Sequence, residues 1–216
     1  MFNPLEGKIL VTVGDSITEG ADMDPAGIAP DGTRMTYGWQ IAQRNNMKFY
    51  NRGISGTTMQ HIEGKANCFS TEDGRYTQLP DEIDYLTIFF GWNDSHFGKL
   101  GTINDEENTS YYGGYNVVLP YLIQKYPDAR ICLVVPFGGT VEHRDAVRQL
   151  ADKWGVACFD LCGHGTPFLY TKEDSLGVDP WVVSFRRKQY FARGCHPGYK
   201  GHCLMGRALE HFLRGI

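Results

Sequence analysis

Four residues along the chain have the side chains or backbone that acyl transfer requires. Each follows an apolar segment, and they are Ser16, Gly56, Asn93 and His196. A serine hydroxyl is a poor nucleophile until a neighbouring base takes its proton, and imidazole can do so near neutral pH. A glycine N–H and an asparagine amide can donate hydrogen bonds to a developing negative charge. Together these residue types could attack a carbonyl carbon and stabilise the resulting oxyanion.

Five short apolar runs predict buried strands, and the segments between them predict amphipathic helices. The predicted strands cover residues 9–13, 49–51, 85–90, 130–135 and 156–160. The predicted helices cover residues 37–47, 110–126, 142–154 and 197–213. Strands that are apolar on both faces and alternate with helices favour an α/β fold. We therefore predict one domain over residues 1–216, a three-layer α/β/α structure with a flavodoxin-like, doubly wound parallel sheet of about five strands.

This fold would bring the four residues to one place. The carboxyl ends of parallel strands lie on the same edge of the sheet. Ser16, Gly56 and Asn93 follow the first three predicted strands, and His196 follows the fifth and opens the predicted last helix. The loop over residues 21–36 directly follows the serine, where a loop facing a substrate would lie.

Composition excludes several other classes of protein. The chain has 216 residues and a net charge of -4, so it lacks the positive electrostatic potential that attracts nucleic acid. The first residues lack the basic and apolar regions of a signal peptide, and no apolar run could span a bilayer, which favours a cytoplasmic protein with no membrane span. The six cysteines include no Cys-x-x-Cys pair and are typical of a reducing compartment.

No metal or organic cofactor is predicted. Cys195 and His196 are adjacent and His202 follows them, but no third and fourth ligand stand at a suitable spacing. A flavodoxin-type nucleotide site is also disfavoured, because Asp15 and Glu19 after the first strand would repel a phosphate.

In sequence order, four segments resemble the motifs of SGNH hydrolases, the GDSL esterase family. They are Gly14-Asp15-Ser16-Ile17, Asn51-x-Gly53-x-Ser55-Gly56, Gly91-x-Asn93-Asp94 and His196-Pro197. The resemblance implies a serine esterase that works through an acyl-enzyme without a cofactor. Ser16 would be the nucleophile and His196 its base. The backbone N–H groups of Ser16 and Gly56 and the side chain of Asn93 would form the oxyanion hole.

The expected partner is a small-molecule or carbohydrate ester. The chain has no extended lipid-binding lid, and polar loops follow the first and fifth predicted strands. These features favour a short acyl group, with an acetyl ester on a carbohydrate as the leading hypothesis.

One position departs from the family pattern. The family carries an aspartate three residues before the histidine, whereas this chain has Arg193, which cannot accept the imidazole N–H. Three arrangements are open: a backbone carbonyl holds the ring, a carboxylate from the long connection over residues 162–195 replaces the aspartate, or the site is catalytically weak. The candidate carboxylates are Glu173, Asp174 and Asp179. A weak site would make the protein an SGNH-fold ligand-binding module rather than an enzyme.

Several other residues near the predicted edge have two interpretations. Asp15 is predicted to be a structural residue that bonds the backbone of its own turn, and Asp94 is predicted to be a turn or network residue; a role in catalysis is the alternative for each. His96 and His143 are predicted to lie in loops, as candidate substrate contacts. Four aromatic residues could line a pocket or simply pack, and they are Trp92, Phe97, Trp181 and Phe185.

Overall fold

A five-stranded parallel sheet forms the centre of the protein. The computed structural model describes residues 2–71, 75–161 and 180–216. The strands are β1 (Ile9–Gly14), β2 (Lys48–Gly53), β3 (Tyr85–Phe89), β4 (Arg130–Val135) and β5 (Ala157–Asp160). Their order is β2-β1-β3-β4-β5, and every neighbouring pair is parallel. The predicted doubly wound sheet is confirmed.

Helices connect the strands. They are α1 (Ser16–Glu19), α2 (Tyr37–Arg44), α3 (Trp92–Phe97), α4 (Tyr111–Lys125), α5 (Val141–Trp154), α6 (Pro180–Tyr190) and α7 (Tyr199–Leu213). A short antiparallel hairpin, β6 (Phe191–Arg193) and β7 (His196–Pro197), lies between α6 and α7. None of the helices within the described ranges is long and apolar enough to cross a membrane.

Both faces of the sheet are covered, as the apolar strands predict. Alternate strand residues point to opposite faces, so Val11 and Val13 pack with α4 and α5 while Leu10 packs with α2 and α7. Each face has its own cluster of fully buried side chains, among them Tyr115 on one face and Ile41 on the other. These two clusters with the sheet between them give the predicted α/β/α layers.

Strand register brings the ends of β1, β2 and β3 together. Gly14 ends β1 and is the register partner of Gly53 on one side and Phe89 on the other. Side chains at the two glycines would collide with α1, since a Cβ would lie 2.1 Å from Thr18 Oγ1 at Gly14 and 2.3 Å from the Glu19 nitrogen at Gly53. These glycines therefore let the short helix α1 sit directly on the strand ends.

The connection between the fifth strand and the last helix differs from the prediction. The described part of the segment predicted as a structureless connection, residues 180–195, contains α6 and the strand β6. The prediction that His196 opens the last helix is wrong, because His196 lies in β7 and α7 begins at Tyr199. The turn of the hairpin, Gly194 and Cys195, presents His196 from a strand.

Candidate active site

Ser16 is the first residue of α1, immediately beyond the sheet edge. Asp15 caps this helix, and its carboxylate accepts the Ile17 N–H at 2.9 Å. The first N–H groups of a helix have no acceptor within the helix, so the Ser16 N–H is free of an internal helical partner. Ser16 is only 8% exposed, and its hydroxyl is held at the base of the site.

The His196 ring has a hydrogen-bond partner at each nitrogen. Its Nε2 lies 2.9 Å from Ser16 Oγ, and its Nδ1 lies 2.7 Å from Asp22 Oδ2. A carboxylate can only accept, so the Nδ1 proton is donated to Asp22 and Nε2 faces the hydroxyl as an acceptor. The tautomer is therefore the one in which a base can take the serine proton.

Asp22 reaches the ring because the chain turns back after α1. Gly20 caps α1 in a left-handed conformation at φ +80, and Asp22 itself has φ +55, a region that aspartate tolerates better than most residues. The loop is then tied to the start of α7, because Asp24 Oδ2 accepts the Tyr199 N–H at 2.7 Å. Two successive turns thus place a carboxylate beside the ring.

This arrangement corrects the predicted orientation of His196. The ring N–H is held by a side-chain carboxylate, so the backbone-carbonyl hypothesis is wrong. That carboxylate comes from the loop after Ser16, whereas the carboxylates predicted as candidates, Glu173, Asp174 and Asp179, lie outside the described residues. An acidic residue in the loop that follows the nucleophile, on the same sheet edge, was the sequence signal for Asp22.

Gly56 lies in a loop that β1 and α1 hold in place. The loop begins where the Ile54 N–H bonds the Gly14 carbonyl at 3.1 Å, and the Glu19 carboxylate accepts both the N–H and the hydroxyl of Ser55. Gly56 has φ +77, a backbone region that favours glycine, and a Cβ there would meet nothing within 4 Å. The space beside its Cα is therefore open, and no side chain of its own stands in the way of an approaching group.

Asn93 reaches the same loop from the other side. It lies in the first turn of α3, after Gly91 at φ 135, and its Nδ2 donates to the Thr57 carbonyl at 3.0 Å. An asparagine amide carries two N–H groups, so the bond to Thr57 leaves one for a ligand. Because Thr57 directly follows Gly56, this bond brings Asn93 to the Gly56 loop. Three of the four predicted residues, Ser16, Gly56 and Asn93, therefore lie at the end of β1. His196 joins them through its bond to Ser16.

Two buried carboxylates lie beneath this constellation. Asp94 accepts the N–H groups of Met59 and Gln60, each at 3.1 Å, and so has the network role predicted for it. Burial raises the pKa of Asp94 to about 6 and the pKa of Asp15 to about 7, and Asp94 adds to the shift at Asp15. The two acids anchor the loops of the nucleophile and of Asn93.

The histidines and aromatic residues predicted as possible substrate contacts lie in different environments. His143 lies in α5 rather than in a loop, is 6% exposed, and has Nδ1 bonded to Thr140 Oγ1, so the prediction of a loop position is wrong. The loop position predicted for His96 is wrong as well, because His96 lies in α3, where its Nδ1 is bonded to the Trp92 carbonyl at 2.7 Å. Trp92 packs over Gly138, where a Cβ would lie 2.0 Å from the indole ring, and Phe97 is 61% exposed. Trp92 and His96 therefore belong to the scaffold around Asn93.

The thiol next to His196 is not activated. Burial raises the pKa of Cys195, the charges of Asp15 and Asp22 add to this effect, and Arg187 opposes it. No set of three His, Cys, Asp or Glu side chains in the described part of the chain is arranged to hold a metal ion. The five cysteines in the described ranges are all free thiols.

A serine hydroxyl, an imidazole and a carboxylate in one hydrogen-bonded row on an α/β sheet define the geometry of a serine hydrolase. The family model for the GDSL-like lipase/acylhydrolase family matches residues 12–204. The chain therefore belongs to the GDSL-like lipase/acylhydrolase family, as the sequence motifs predicted, and this membership supports hydrolase activity. No curated protein shows significant similarity to the chain.

Solved structures of the same fold cover almost the whole chain. A protein from Lactobacillus plantarum is 23% identical with a TM-score of 0.71, covering 97% of this chain and 98% of that one. A protein described as a GDSL-like lipase from Bacteroides ovatus is 17% identical with a TM-score of 0.67, covering 98% and 100%. The acetylxylan esterase Axe2 from Geobacillus stearothermophilus is 19% identical with a TM-score of 0.57, covering 95% and 94%. At these identities the likeness shows the fold.

The raised pKa of Asp15 predicts how stability changes with pH. The pKa is about 7 in the folded protein, against ~3.9 for an unfolded aspartate. Between these values the folded state holds a proton that the unfolded state has released, so the free energy of unfolding falls as the pH rises. Asp15→Asn keeps an oxygen for the Ile17 N–H but removes this titration.

Urea denaturation of wild type and Asp15→Asn from pH 4 to pH 8 measures the effect. The free energy of unfolding of the variant should rise relative to wild type by up to roughly 4 kcal/mol across that range. Asp128→Asn, which removes an exposed carboxylate, serves as the control and should show no such trend. A pH-independent difference between wild type and Asp15→Asn would contradict the assignment.

Proposed function

We propose that the protein is a serine esterase that cleaves a short-chain carboxylic ester through an acyl-enzyme on Ser16. The observation that carries this proposal is the row of hydrogen bonds from Ser16 Oγ to His196 Nε2 at 2.9 Å and from His196 Nδ1 to Asp22 at 2.7 Å. Family membership supports the hydrolytic reaction, and the row of bonds supports a part in it for each of the three side chains.

The first half-reaction forms the acyl-enzyme. Ser16 Oγ attacks the ester carbonyl carbon while its proton passes to His196 Nε2, which gives a tetrahedral intermediate and an imidazolium ion. The Asp22 carboxylate stabilises the imidazolium through the short bond to Nδ1. His196 then returns the proton to the alkoxide of the leaving alcohol as the C–O bond breaks.

Fixed donors stabilise the intermediate. Negative charge develops on the former carbonyl oxygen, and the donors are the N–H groups of Ser16 and Gly56 and the Asn93 side chain. The bond from Asn93 to Thr57 and the bonds from Ser55 to Glu19 hold these donors before substrate arrives. Donors that are already oriented need no reorganisation during the reaction, which is the main source of their effect.

The second half-reaction reverses these roles with water. His196 takes a proton from a water molecule, the hydroxide attacks the acyl carbonyl carbon, and the bond to Ser16 Oγ breaks as that oxygen regains its proton. The products are a carboxylic acid and the regenerated enzyme. The residues of the chain supply every proton transfer in this cycle.

The proposed substrate is an ester of a small acyl group, with an acetyl group on a carbohydrate as the leading candidate. The polar loops after β1 and β5 in the sequence favour a short acyl chain over a long lipid. The similarity in fold to an acetylxylan esterase is consistent with this choice.

The alternative of an inactive binding module rested on Arg193, and Asp22 weakens it. A carboxylate on the His196 ring N–H supplies what the family aspartate would supply. Arg193 is exposed in β6. The Nδ1 atom of His196, which an arginine in place of the aspartate would have left without a partner, is bonded to Asp22.

Replacing the nucleophile tests the reaction. Ser16→Ala should abolish hydrolysis of p-nitrophenyl acetate, because the Ser16 hydroxyl is the one bonded to His196 Nε2 among the described residues. Labelling with a fluorophosphonate should modify Ser16 in wild type and nothing in the variant, as read by intact mass and peptide mapping. The thermal unfolding midpoint is the control for folding. Full hydrolysis by a folded Ser16→Ala variant would refute the proposal.

Replacing Asp22 tests the orientation of the base. Asp22→Asn should lower kcat by roughly 10²–10⁴-fold, because an amide presents the wrong hydrogen-bonding group or no charge to the imidazolium. Asp31→Asn is the matched control, since Asp31 is an exposed carboxylate in the same loop that accepts the Thr33 N–H. Equal activities of the two variants would show that Asp22 does not act through His196.

Removing the Asn93 amide tests the oxyanion hole. Asn93→Ala should lower kcat by about 10²–10³-fold with a smaller change in KM, because the donor acts mainly on the charge that develops in the transition state. The variant also loses the bond to Thr57, so the thermal unfolding midpoint and the extent of fluorophosphonate labelling must be measured beside the rate. A rate equal to wild type would remove Asn93 from the mechanism.

A further inference from the structure

The part of the chain that carries His196 has an unusual charge. From residue 180 to residue 209 it contains no aspartate or glutamate, although the whole chain has a net charge of -4. The same stretch contains six cations, namely Arg186, Arg187, Lys188, Arg193, Lys200 and Arg207. This stretch includes α6, the hairpin and most of α7, so cations and no carboxylates flank His196 along this part of the chain.

Arg193 is the cation nearest to the base along the hairpin. It is the register partner of His196 in the antiparallel pair β6–β7. Such partners have Cα atoms about 5 Å apart and side chains on the same face of the pair. His196 points at Ser16, so the exposed Arg193 side chain projects on the side of the hairpin that faces the nucleophile.

Arg187 brings a second guanidinium to the same turn. Its Nη2 donates to the Gly194 carbonyl at 3.2 Å, and its side chain packs over the Phe191 ring at 5.1 Å. Its charge also acts on the Cys195 thiol, the residue just before His196. Both arginines therefore border the two-residue turn that presents the base.

Neither charge is neutralised within the described ranges. Neither Arg187 nor Arg193 has a carboxylate at ion-pair distance in residues 2–71, 75–161 and 180–216. The nearby carboxylates have other partners, because Asp22 bonds the His196 ring and Asp24 bonds the Tyr199 N–H. Toward the residues in these ranges, both guanidinium groups therefore keep donors that a ligand could bind.

We infer that Arg193, assisted by Arg187, recognises a negatively charged oxygen group on the substrate, so that the natural ester carries a carboxylate or a phosphate close to the scissile bond. The inference rests on the proposed esterase function and narrows its substrate class. Planar guanidinium groups match the paired oxygens of carboxylates and phosphates, and bonds of this kind are stronger than neutral ones. The arginine that replaces the family aspartate thus acts in substrate selection, while Asp22 holds the base.

The test compares three acetyl esters that differ in one group. They are neutral 4-acetoxybenzamide, 4-acetoxybenzoate and 4-acetoxyphenyl phosphate, and the measurement is the ratio of kcat/KM for each anionic ester to that for the neutral one. Arg193→Gln should lower this ratio about fivefold for at least one anion, the size expected of one partly exposed ion pair. Arg193→Lys keeps the charge but not the planar guanidinium group, so its ratio should lie between those of wild type and Arg193→Gln.

Two controls separate recognition from a general effect of charge. Arg130→Gln removes an exposed arginine at the start of β4, on the opposite edge of the sheet, and should leave the ratio as in wild type. Raising NaCl from 0.05 to 0.5 M should lower the ratio for wild type and have less effect on Arg193→Gln, because salt screens exposed charges.

The outcomes are distinct. A lower ratio in Arg193→Gln with an unchanged ratio in Arg130→Gln supports the inference, and the anion with the larger change identifies the preferred group. An equal loss of kcat/KM for all three esters in Arg193→Gln overturns it, since the arginine would then be structural. If wild type hydrolyses none of the three and Ser16 takes no fluorophosphonate, the proposed function fails and this inference falls with it.

Discussion

The His196 ring, held at both nitrogens, is the interaction on which the site depends. Its two hydrogen bonds join residues that are 180 and 174 positions apart, so they hold a segment near the start of the chain against a segment near its end. Neither bond can form unless the hairpin and the loop after α1 arrive at the same corner of the sheet. The bond from the Tyr199 N–H to Asp24 fixes that meeting, since it ties the loop to the helix that follows the hairpin.

The parallel sheet supplies the surface on which these loops converge. Because Gly14 is in register with Gly53 and Phe89, the segments carrying Ser16, Gly56 and Asn93 begin side by side. Hydrogen bonds between the loops then complete the placement, notably from Asn93 to Thr57. The proposed oxyanion donors are thus positioned by hydrogen bonds between neighbouring loops, and the proposed nucleophile by the close packing that the two glycines allow.

Local patterns were sufficient to predict the sheet, because apolar runs and turn residues act over a few positions, and the four motif segments were identified by their resemblance to the family. The partner of the imidazole was not predictable in this way. Asp22 reaches the ring only through left-handed backbone at Gly20 and at Asp22 itself, which no periodicity reports. The hairpin before α7 was missed for a similar reason, since β7 has only two residues and its pairing depends on the turn at Gly194.

The acid lies on the nucleophile's side of the site, six residues after Ser16, instead of next to the base in sequence. In the family pattern a histidine carries its own carboxylate three residues away and can be oriented before it meets the serine. Here the hairpin that carries the imidazole contains no acidic residue. Both hydrogen-bond partners of the ring, Ser16 and Asp22, lie in the segment after β1. Separation of the hairpin from the segment after β1 would therefore break the bonds from His196 to Ser16 and to Asp22 together.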